Sequence, residues 1–441
     1  MARIALISLG CPKNLVDSEV MLGLLQDAGH EVIDQVEGAD VVIVNTCAFI
    51  EPAVEEAVEA LLDTVALRGE DGRPRVICAG CLTERYGSEL QAELPEIDAF
   101  VGPGSVNEIA DVVERCVDEG QLLVQAAPPW LYSAETPRTR TGREWLAYVK
   151  VADGCDHQCA YCMIPRLRGS FRSRSPEDIR REVDGLIAEG VREICMIAQD
   201  TSMWGADLAG DWTLARLLRT LELDEWDGWV RLQYLHPDGI TPELLRAVAD
   251  VEQVVPYFDI PLQHAAPAVL RSMGRRGDAE SYLAIVEGVR ETLPRAAIRT
   301  TFIVGYPGET EADFGALLEF VERARFDRLS AFRYWDEPGT RAAELPDHVS
   351  EGDALDRLET LMLTQAEISR EINQSFIGER LRVLVERDDD ETGETLGRSF
   401  RDAPDVDGEV VLEGQAPLGT FADVTITYAE EHDLWGETDG S

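Results

Sequence analysis

The sequence is short of positive charge, and of lysine above all. Its 441 residues carry 40 basic and 84 acidic side chains, a formal net charge of −44, and the only lysines are Lys13 and Lys150. So acidic a chain is ill suited to unaided nucleic-acid binding and favours basic partners. Long hydrophobic runs are missing too: no window approaches the ~18 uninterrupted apolar residues that a membrane helix needs. The apolar start soon reaches Gly10-Cys11-Pro12-Lys13-Asn14 and offers no small-residue cleavage site, so a secretory signal is not expected. Cysteines number nine. That is odd and too few for a disulfide scaffold of this size, which points to a reduced, cytoplasmic protein whose thiols do other chemistry. With 45% apolar residues, packed cores are expected and a disordered or collagen-like chain is excluded. The length suits two to four domains.

Three domains are expected, over residues 1–135, 136–372 and 373–441. In the first, short Val/Ile-rich runs at 3–9, 40–46, 75–79 and 99–101 alternate with helical patterns at 17–28, 52–67 and 83–94. Strands alternating with helices imply a parallel sheet of βαβ units. From 122 to 143 the periodicity fails, and Pro128-Pro129, Pro137 and a Thr/Arg run read as a linker. Six further strands, at 145–151, 193–198, 230–235, 257–261, 298–304 and 328–334, suit a partial parallel (β/α)6 barrel, with a long helix at 352–376 leaving it. The tail changes to two-residue alternation at 381–385, 409–412 and 424–428, the pattern of a small antiparallel barrel or sandwich.

Cys155-Asp156-His157-Gln158-Cys159-Ala160-Tyr161-Cys162 gives C-x3-C-x2-C just after the first barrel strand. Three thiolates on one loop can hold three irons of a 4Fe-4S cluster and leave the fourth open. An open iron can chelate the amino and carboxylate groups of S-adenosylmethionine, and barrel active sites lie at this end of the strands. A structural zinc loop is the competing reading, but it needs a fourth protein ligand, and only His157 is near. Cys11, Cys47 and Cys81 each follow a strand of the first domain. A parallel sheet gathers its carboxyl ends on one edge, so the three could converge on a second cluster. Strand-end position alone also admits three ordinary buried thiols. Cys78 makes a C-x2-C pair with Cys81 but reads as strand packing, as do Cys116 and Cys195 as core thiols.

The runs Val151-Ala152-Asp153-Gly154 before the loop and Ile164-Pro165-Arg166-Leu167-Arg168-Gly169 after it resemble the methylthiotransferase branch of the radical S-adenosylmethionine superfamily. Gly10-Cys11-Pro12-Lys13-Asn14, Asn45-Thr46-Cys47 and Gly80-Cys81 resemble that branch's amino-terminal motif, and the tail resembles its TRAM domain. Between its subfamilies, Gly10-Cys11-Pro12-Lys13-Asn14-Leu15-Val16-Asp17-Ser18-Glu19, Ile197-Ala198-Gln199-Asp200-Thr201, Pro261-Leu262-Gln263-His264 and the closing Asp433-Leu434-Trp435-Gly436 are similar to the enzymes that modify a ribosomal-protein aspartate.

The resemblance implies two 4Fe-4S clusters, on Cys11/Cys47/Cys81 and Cys155/Cys159/Cys162. It implies S-adenosylmethionine as both methyl donor and radical source, and an external electron donor. Its implied substrate is ribosomal small-subunit protein S-twelve, methylthiolated at the β-carbon of an aspartate. Residues 373–441 hold five arginines, no lysine and eighteen acidic residues, a net −13. Such a tail would repel RNA and could steer a basic protein, although residues 1–140 and 141–372 carry −16 and −15 of their own. A tRNA-adenosine methylthiotransferase and a metal-stapled scaffold for basic partners are the rival readings.

Among supporting residues, Lys13 and Lys150 flank cluster cysteines, where a compact ammonium could balance an anionic cluster, sulfide or substrate carboxylate. Arg166, Arg168, Arg172 and Arg174 follow the radical loop, and one or two could hold a carboxylate bidentately. Gln199, Asp200 and Gly305 end barrel strands and suit cofactor contacts, with turn formation the alternative. His236 and His264 read as structural.

Overall fold

The structure, a computed structural model, describes residues 1–70, 72–116, 121–125, 130–389 and 391–438. Six parallel strands form the amino-terminal sheet in the order Glu31–Val32, Arg3–Ser8, Val41–Thr46, Arg75–Gly80, Ala99–Val101, Leu122–Val124. The central strand Val41–Thr46 is buried along its whole length, as a parallel sheet covered on both faces requires. Helices Pro12–Asp27, Glu51–Ala66 and Cys81–Glu93 follow successive strands. Two start earlier than the periodicity indicates. Cys11 is the N-cap of the first, with Pro12 in its opening turn, and Cys81 is the first residue of the third.

The linker expected from Leu122 is corrected at its start: Leu122–Val124 pairs in parallel with Ala99–Val101 as the sheet's last strand. Three residues are too few to show a period, and so is the two-residue strand Glu31–Val32. Pro128-Pro129 lie outside the described residues. Beyond them the chain runs tightly along the first helix. A Cβ on Gly23 would meet the Pro137 carbonyl carbon at 2.4 Å, and Arg138 pairs with Glu19 at 2.6 Å and with Glu182 of the next domain at 2.7 Å.

The central region holds two parallel three-stranded sheets. One comprises Leu146–Lys150, Glu193–Ile197 and Trp229–Leu232; the other comprises Tyr257–Asp259, Ala297–Val304 and Arg328–Arg333. They join where Val230 bridges Val254 and the Leu235 N–H donates to the Asp259 carbonyl at 2.8 Å. The result is a six-stranded open arc whose end strands, Leu146–Lys150 and Arg328–Arg333, are not paired with each other. Its core includes Phe302, Phe320 and Phe326, packed edge to face at 5.7–6.2 Å. The long helix Glu351–Gln374 closes the region.

The tail is a closed barrel of five strands, Arg380–Asp388, Thr395–Ser399, Val410–Glu413, Leu434–Thr438 and Phe421–Ala429 in spatial order. It is not wholly antiparallel, because Val410–Glu413 and Leu434–Thr438 run parallel. Thr395–Ser399 escapes the alternation reading since it is buried along its whole length, with Arg398 beside Leu384 on the side that meets the central arc. That arginine is buried because Glu386 and Glu193 neutralise it. Glu193 also holds Arg231 at 2.6 Å, so one buried carboxylate locks the tail barrel to the central arc. Among the described residues, no helix is long and apolar enough to cross a membrane, and all nine cysteines are free.

Candidate active site at the junction of two cysteine loops

Three strands of the amino-terminal sheet end side by side, and each is followed by a cysteine. Gly10, at φ +90°, turns the chain ahead of Cys11. A Cβ there would lie 2.8 Å from the Cys47 Cβ and 3.4 Å from its sulfur, so only glycine lets these two loops approach. Gly80, at φ +94°, does the same before Cys81, with the Asn45 Oδ1 2.4 Å from where its Cβ would be. Asn14 ties the loops together. Its Nδ2 donates to the Leu9 and Thr46 carbonyls at 3.2 and 3.0 Å, and its Oδ1 lies 3.9 Å from the Cys81 sulfur.

Cys155, Cys159 and Cys162 lie on the loop after the first barrel strand. Gly154, at φ +83°, packs so closely on the Gly169–Ser170 backbone that a Cβ would stand 2.1 Å from the Ser170 carbonyl. The Cys155 N–H donates to the Gly169 carbonyl at 3.1 Å, and the Ala160 N–H to the Met273 carbonyl at 2.8 Å. Arg275 points Nη1 at the Cys159 sulfur, 3.9 Å away. Burial pushes the thiols of Cys155 up to about 11 and of Cys81 and Cys162 up to about 12. As free thiols they stay protonated at neutral pH, and a metal that binds them must displace those protons.

Side chains cross between the two sets. Arg168, six residues after Cys162, donates to Asp17 Oδ2 at 2.5 Å and also to Asn14 Oδ1, at the heart of the amino-terminal cysteine edge. Lys13 reaches the other way and lies over the ring of Tyr234, beyond the third barrel strand. Met163 and Leu167 share a core cluster with Ala48 and Cys81. The cysteine edge of the sheet therefore sits against the carboxyl-terminal mouth of the arc.

The remaining expected site residues divide. Lys150 is fully engaged, its Nζ 2.6 Å from Asp17 and 3.0 Å from Asp153, which makes it a pin between domains. Arg174 is likewise committed, to Asp178, Glu182 and the Lys150 carbonyl. Arg172 donates to the carbonyls of Ser170 and Arg168. Gly305 makes room for the long helix: a Cβ would stand 2.5 Å from that of Ala354. His264 is wholly buried beside Glu309. Cys78 turns to Thr83 and Thr46 instead of the cysteine edge.

Gln199 donates to Asp153 at 2.8 Å while its buried Oε1 has no partner. An orphaned acceptor beside the Cys155 loop fits an incoming ammonium or hydroxyl group. Asp200 accepts from His157 Nε2 at 2.6 Å and from the Ser202 hydroxyl at 2.6 Å. The His157 ring stacks on His236 at 4.1 Å. Burial, reinforced by Arg275, drops His236 to about 3, so it is neutral at physiological pH.

Sequence reading singles out Asp200 from this group but takes His236 as structural and His157 only as a possible zinc ligand. The available signal is positional, since both histidines fall at the mouth end of barrel strands. Among the described residues, His157, Asp200 and His236 are the one trio with donor atoms all within 4.8 Å. Neither cysteine trio is drawn in so tightly. A thiol set wider than one ion's shell fits a multi-iron cluster better than a single zinc.

Comparison with known proteins gives three matched regions. Residues 3–102 match the uncharacterized protein family UPF0004, residues 149–321 the radical SAM superfamily and residues 377–438 the TRAM domain. The ribosomal protein uS12 methylthiotransferase RimO of Microcystis aeruginosa is 45% identical over 437 residues, 98% of each chain. That of Pelotomaculum thermopropionicum is 46% identical over 440 residues, 99% of each chain. Among solved structures, the radical S-adenosylmethionine methyltransferase TsrM of Kitasatospora setae aligns at a TM-score of 0.57 with 15% identity, covering 83% of this chain and 89% of that one, a likeness of fold. With relatives this similar over nearly its whole length, and a cysteine edge seated on the mouth of a radical SAM arc, the chain belongs to the RimO family of ribosomal protein uS12 methylthiotransferases.

Proposed function

We propose that this enzyme attaches a methylthio group to the β-carbon of an aspartate in ribosomal protein uS12. It would use two 4Fe-4S clusters, held by Cys11, Cys47 and Cys81 on one side of the junction and by Cys155, Cys159 and Cys162 on the other. The observation that carries the reading is the apposition of the two thiol sets, with Arg168 and Lys13 crossing in opposite directions between them. When bound, the clusters and S-adenosylmethionine supply hydrogen abstraction and a methylthio group, which a carbon bearing no acidic proton requires.

The chain's own residues hold and orient. Gln199 Oε1 offers an acceptor to S-adenosylmethionine. The Asp200 carboxylate fixes His157 within the radical loop, and neutral His236 stacks behind it. Lys13 places a buried positive charge at the junction, where an aspartate carboxylate would enter. The strongly acidic surface suits a basic protein substrate better than RNA.

Deletion of the gene, followed by mass spectrometry of uS12 and of tRNA, tests this. Loss of the methylthio mass from uS12 alone is the expected result; loss from tRNA alone would reassign the substrate.

A further inference from the structure

One segment touches both cysteine loops. After the last barrel strand, Arg328–Arg333, residues 335–345 pass over the junction before the long helix begins. At its near end, Glu337 is buried against the amino-terminal domain. Its Oε1 accepts the Glu51 N–H at 2.8 Å, at the start of the helix that follows Cys47. Its Oε2 pairs with Arg85 at 2.7 Å, both side chains about 95% buried. Arg85 comes from the helix that begins at Cys81, and its Nη1 donates to the Ala48 carbonyl, next to Cys47, at 2.9 Å. A single carboxylate thus holds the loops of Cys47 and Cys81 together.

At the far end, Arg341 donates to the Gln158 carbonyl and the Ala342 N–H donates to the Ala160 carbonyl at 2.9 Å. Those carbonyls flank Cys159. Between the two ends the chain is short and stiff. Four residues span at most roughly 14 Å fully extended, and here they fold further. The Thr340 N–H and hydroxyl both close on the Glu337 carbonyl, at 3.1 and 2.8 Å. Gly339 sits at φ +85°, where a Cβ would meet the Arg166 guanidinium at 2.6 Å. Nothing in this tether is free to lengthen without breaking a buried contact.

We infer that residues 335–345 are a tether that sets the separation of the two cysteine loops, with Glu337 and Arg341 as its positioning residues. The inference rests on the two-cluster reading above but concerns geometry and not the identity of the substrate. Transfer between two centres is sensitive to displacements of an ångström, which cost up to about 100-fold in rate. A slack tether should therefore let S-adenosylmethionine be cleaved without sulfur transfer.

The test uses reconstituted full-length holoenzyme carrying Glu337→Ala, Glu337→Gln or Arg341→Ala. Three quantities are measured: iron per chain, the electron-spin interaction between the two reduced clusters, and 5′-deoxyadenosine released per methylthiolated uS12. With iron unchanged, Glu337→Ala should weaken or disperse the spin interaction and raise the deoxyadenosine ratio about tenfold. Glu337→Gln, which still accepts from Glu51, should fall between it and the parent. Arg341 is exposed, so Arg341→Ala keeps the test alive should Glu337→Ala fail to fold.

An unchanged spectrum and ratio at full iron content would overturn the tether. So would a ratio that rises only in proportion to lost iron. If the parent enzyme forms no methylthiolated uS12, the functional reading fails, while the spin interaction still decides on the tether.

Discussion

Lys13 holds its ammonium 3.0 Å from the ring centroid of Tyr234, across the junction between the amino-terminal sheet and the arc. Tyr234 is itself constrained, at φ +61°, with its N–H donated to Asp259 Oδ2 at 2.9 Å. Burial pulls the Lys13 pKa down, while Cys11 and Asp259 pull it back up. A desolvated cation–π contact is worth about 2 kcal/mol. Both lysines of a chain with 38 arginines are buried at this junction. That is what a site requires if a point charge fits and a planar fork does not.

Lys13→Arg should therefore lower methylthiolation of uS12 about tenfold or more with iron content unchanged. Lys150→Arg should act differently, because Lys150 is wedged between Asp17 and Asp153. Its loss should show first as reduced resistance to denaturant. Full turnover in Lys13→Arg would remove any special role for the ammonium.

The two cysteine sets should separate chemically. Replacing Cys155, Cys159 or Cys162 by alanine should leave about four of eight irons and abolish release of 5′-deoxyadenosine. Replacing Cys11, Cys47 or Cys81 should remove the other four and spare that release while ending sulfur transfer. Cys78→Ala is the control. Its thiol, pushed up to about 11 by burial, faces Thr83 and Thr46, so its iron content should match the parent. Iron loss in Cys78→Ala would reassign the ligand set.

Much of this was legible before the structure, and for a physical reason. Val41-Val42-Ile43-Val44 is a β-branched run and the arc strands are short, mostly apolar or β-branched segments separated by helical patterns, and cysteines at strand ends point to one edge. What stayed hidden depends on partners distant in sequence. Asn14 and Arg168 stand out as residues but not with their partners, and Glu337 not at all, because the bonds Asn14–Thr46, Arg168–Asn14 and Glu337–Glu51 span 32 to 286 residues. His157 and His236 become a pair only once the arc is folded. Thr395–Ser399, a strand through its ladders to Arg380–Asp388 and Val410–Glu413, is missed because Glu193 and Glu386 neutralise an arginine that the alternation rule would have turned to solvent.

Glu193 links pH to stability. Burial works against its charge, but Arg398 and Arg231 outweigh it and hold its pKa below the usual carboxylate range. A carboxylate depressed in the folded state contributes stability that is complete above its unfolded pKa of about 4.3 and lost as pH falls below it. Glu193→Gln should cost about 3–5 kcal/mol at pH 7, since it leaves the buried Arg231 without a carboxylate and Arg398 with Glu386 alone. The gap between parent and variant in denaturant unfolding should narrow at pH 4. A gap that stays constant would show that the carboxylate's charge is not what holds the tail barrel to the arc.

Gly154 offers the sharpest backbone test of the radical loop. Its φ of +83° disfavours any side chain, and the Ser170 carbonyl stands 2.1 Å from the Cβ position. In Gly154→Ala the 169–170 backbone must retreat, and Cys155 goes with it because its N–H is bonded to the Gly169 carbonyl. The expected protein is folded, retains about four irons and no longer cleaves S-adenosylmethionine. Gly185 is the contrast, lying in the helix Pro176–Ala188 with nothing within 4 Å of its Cβ position. Gly185→Ala should keep all activity and gain up to about 1 kcal/mol from helix propensity. Full iron in Gly154→Ala would mean that the loop tolerates the displacement and that its glycine is not required to seat Cys155.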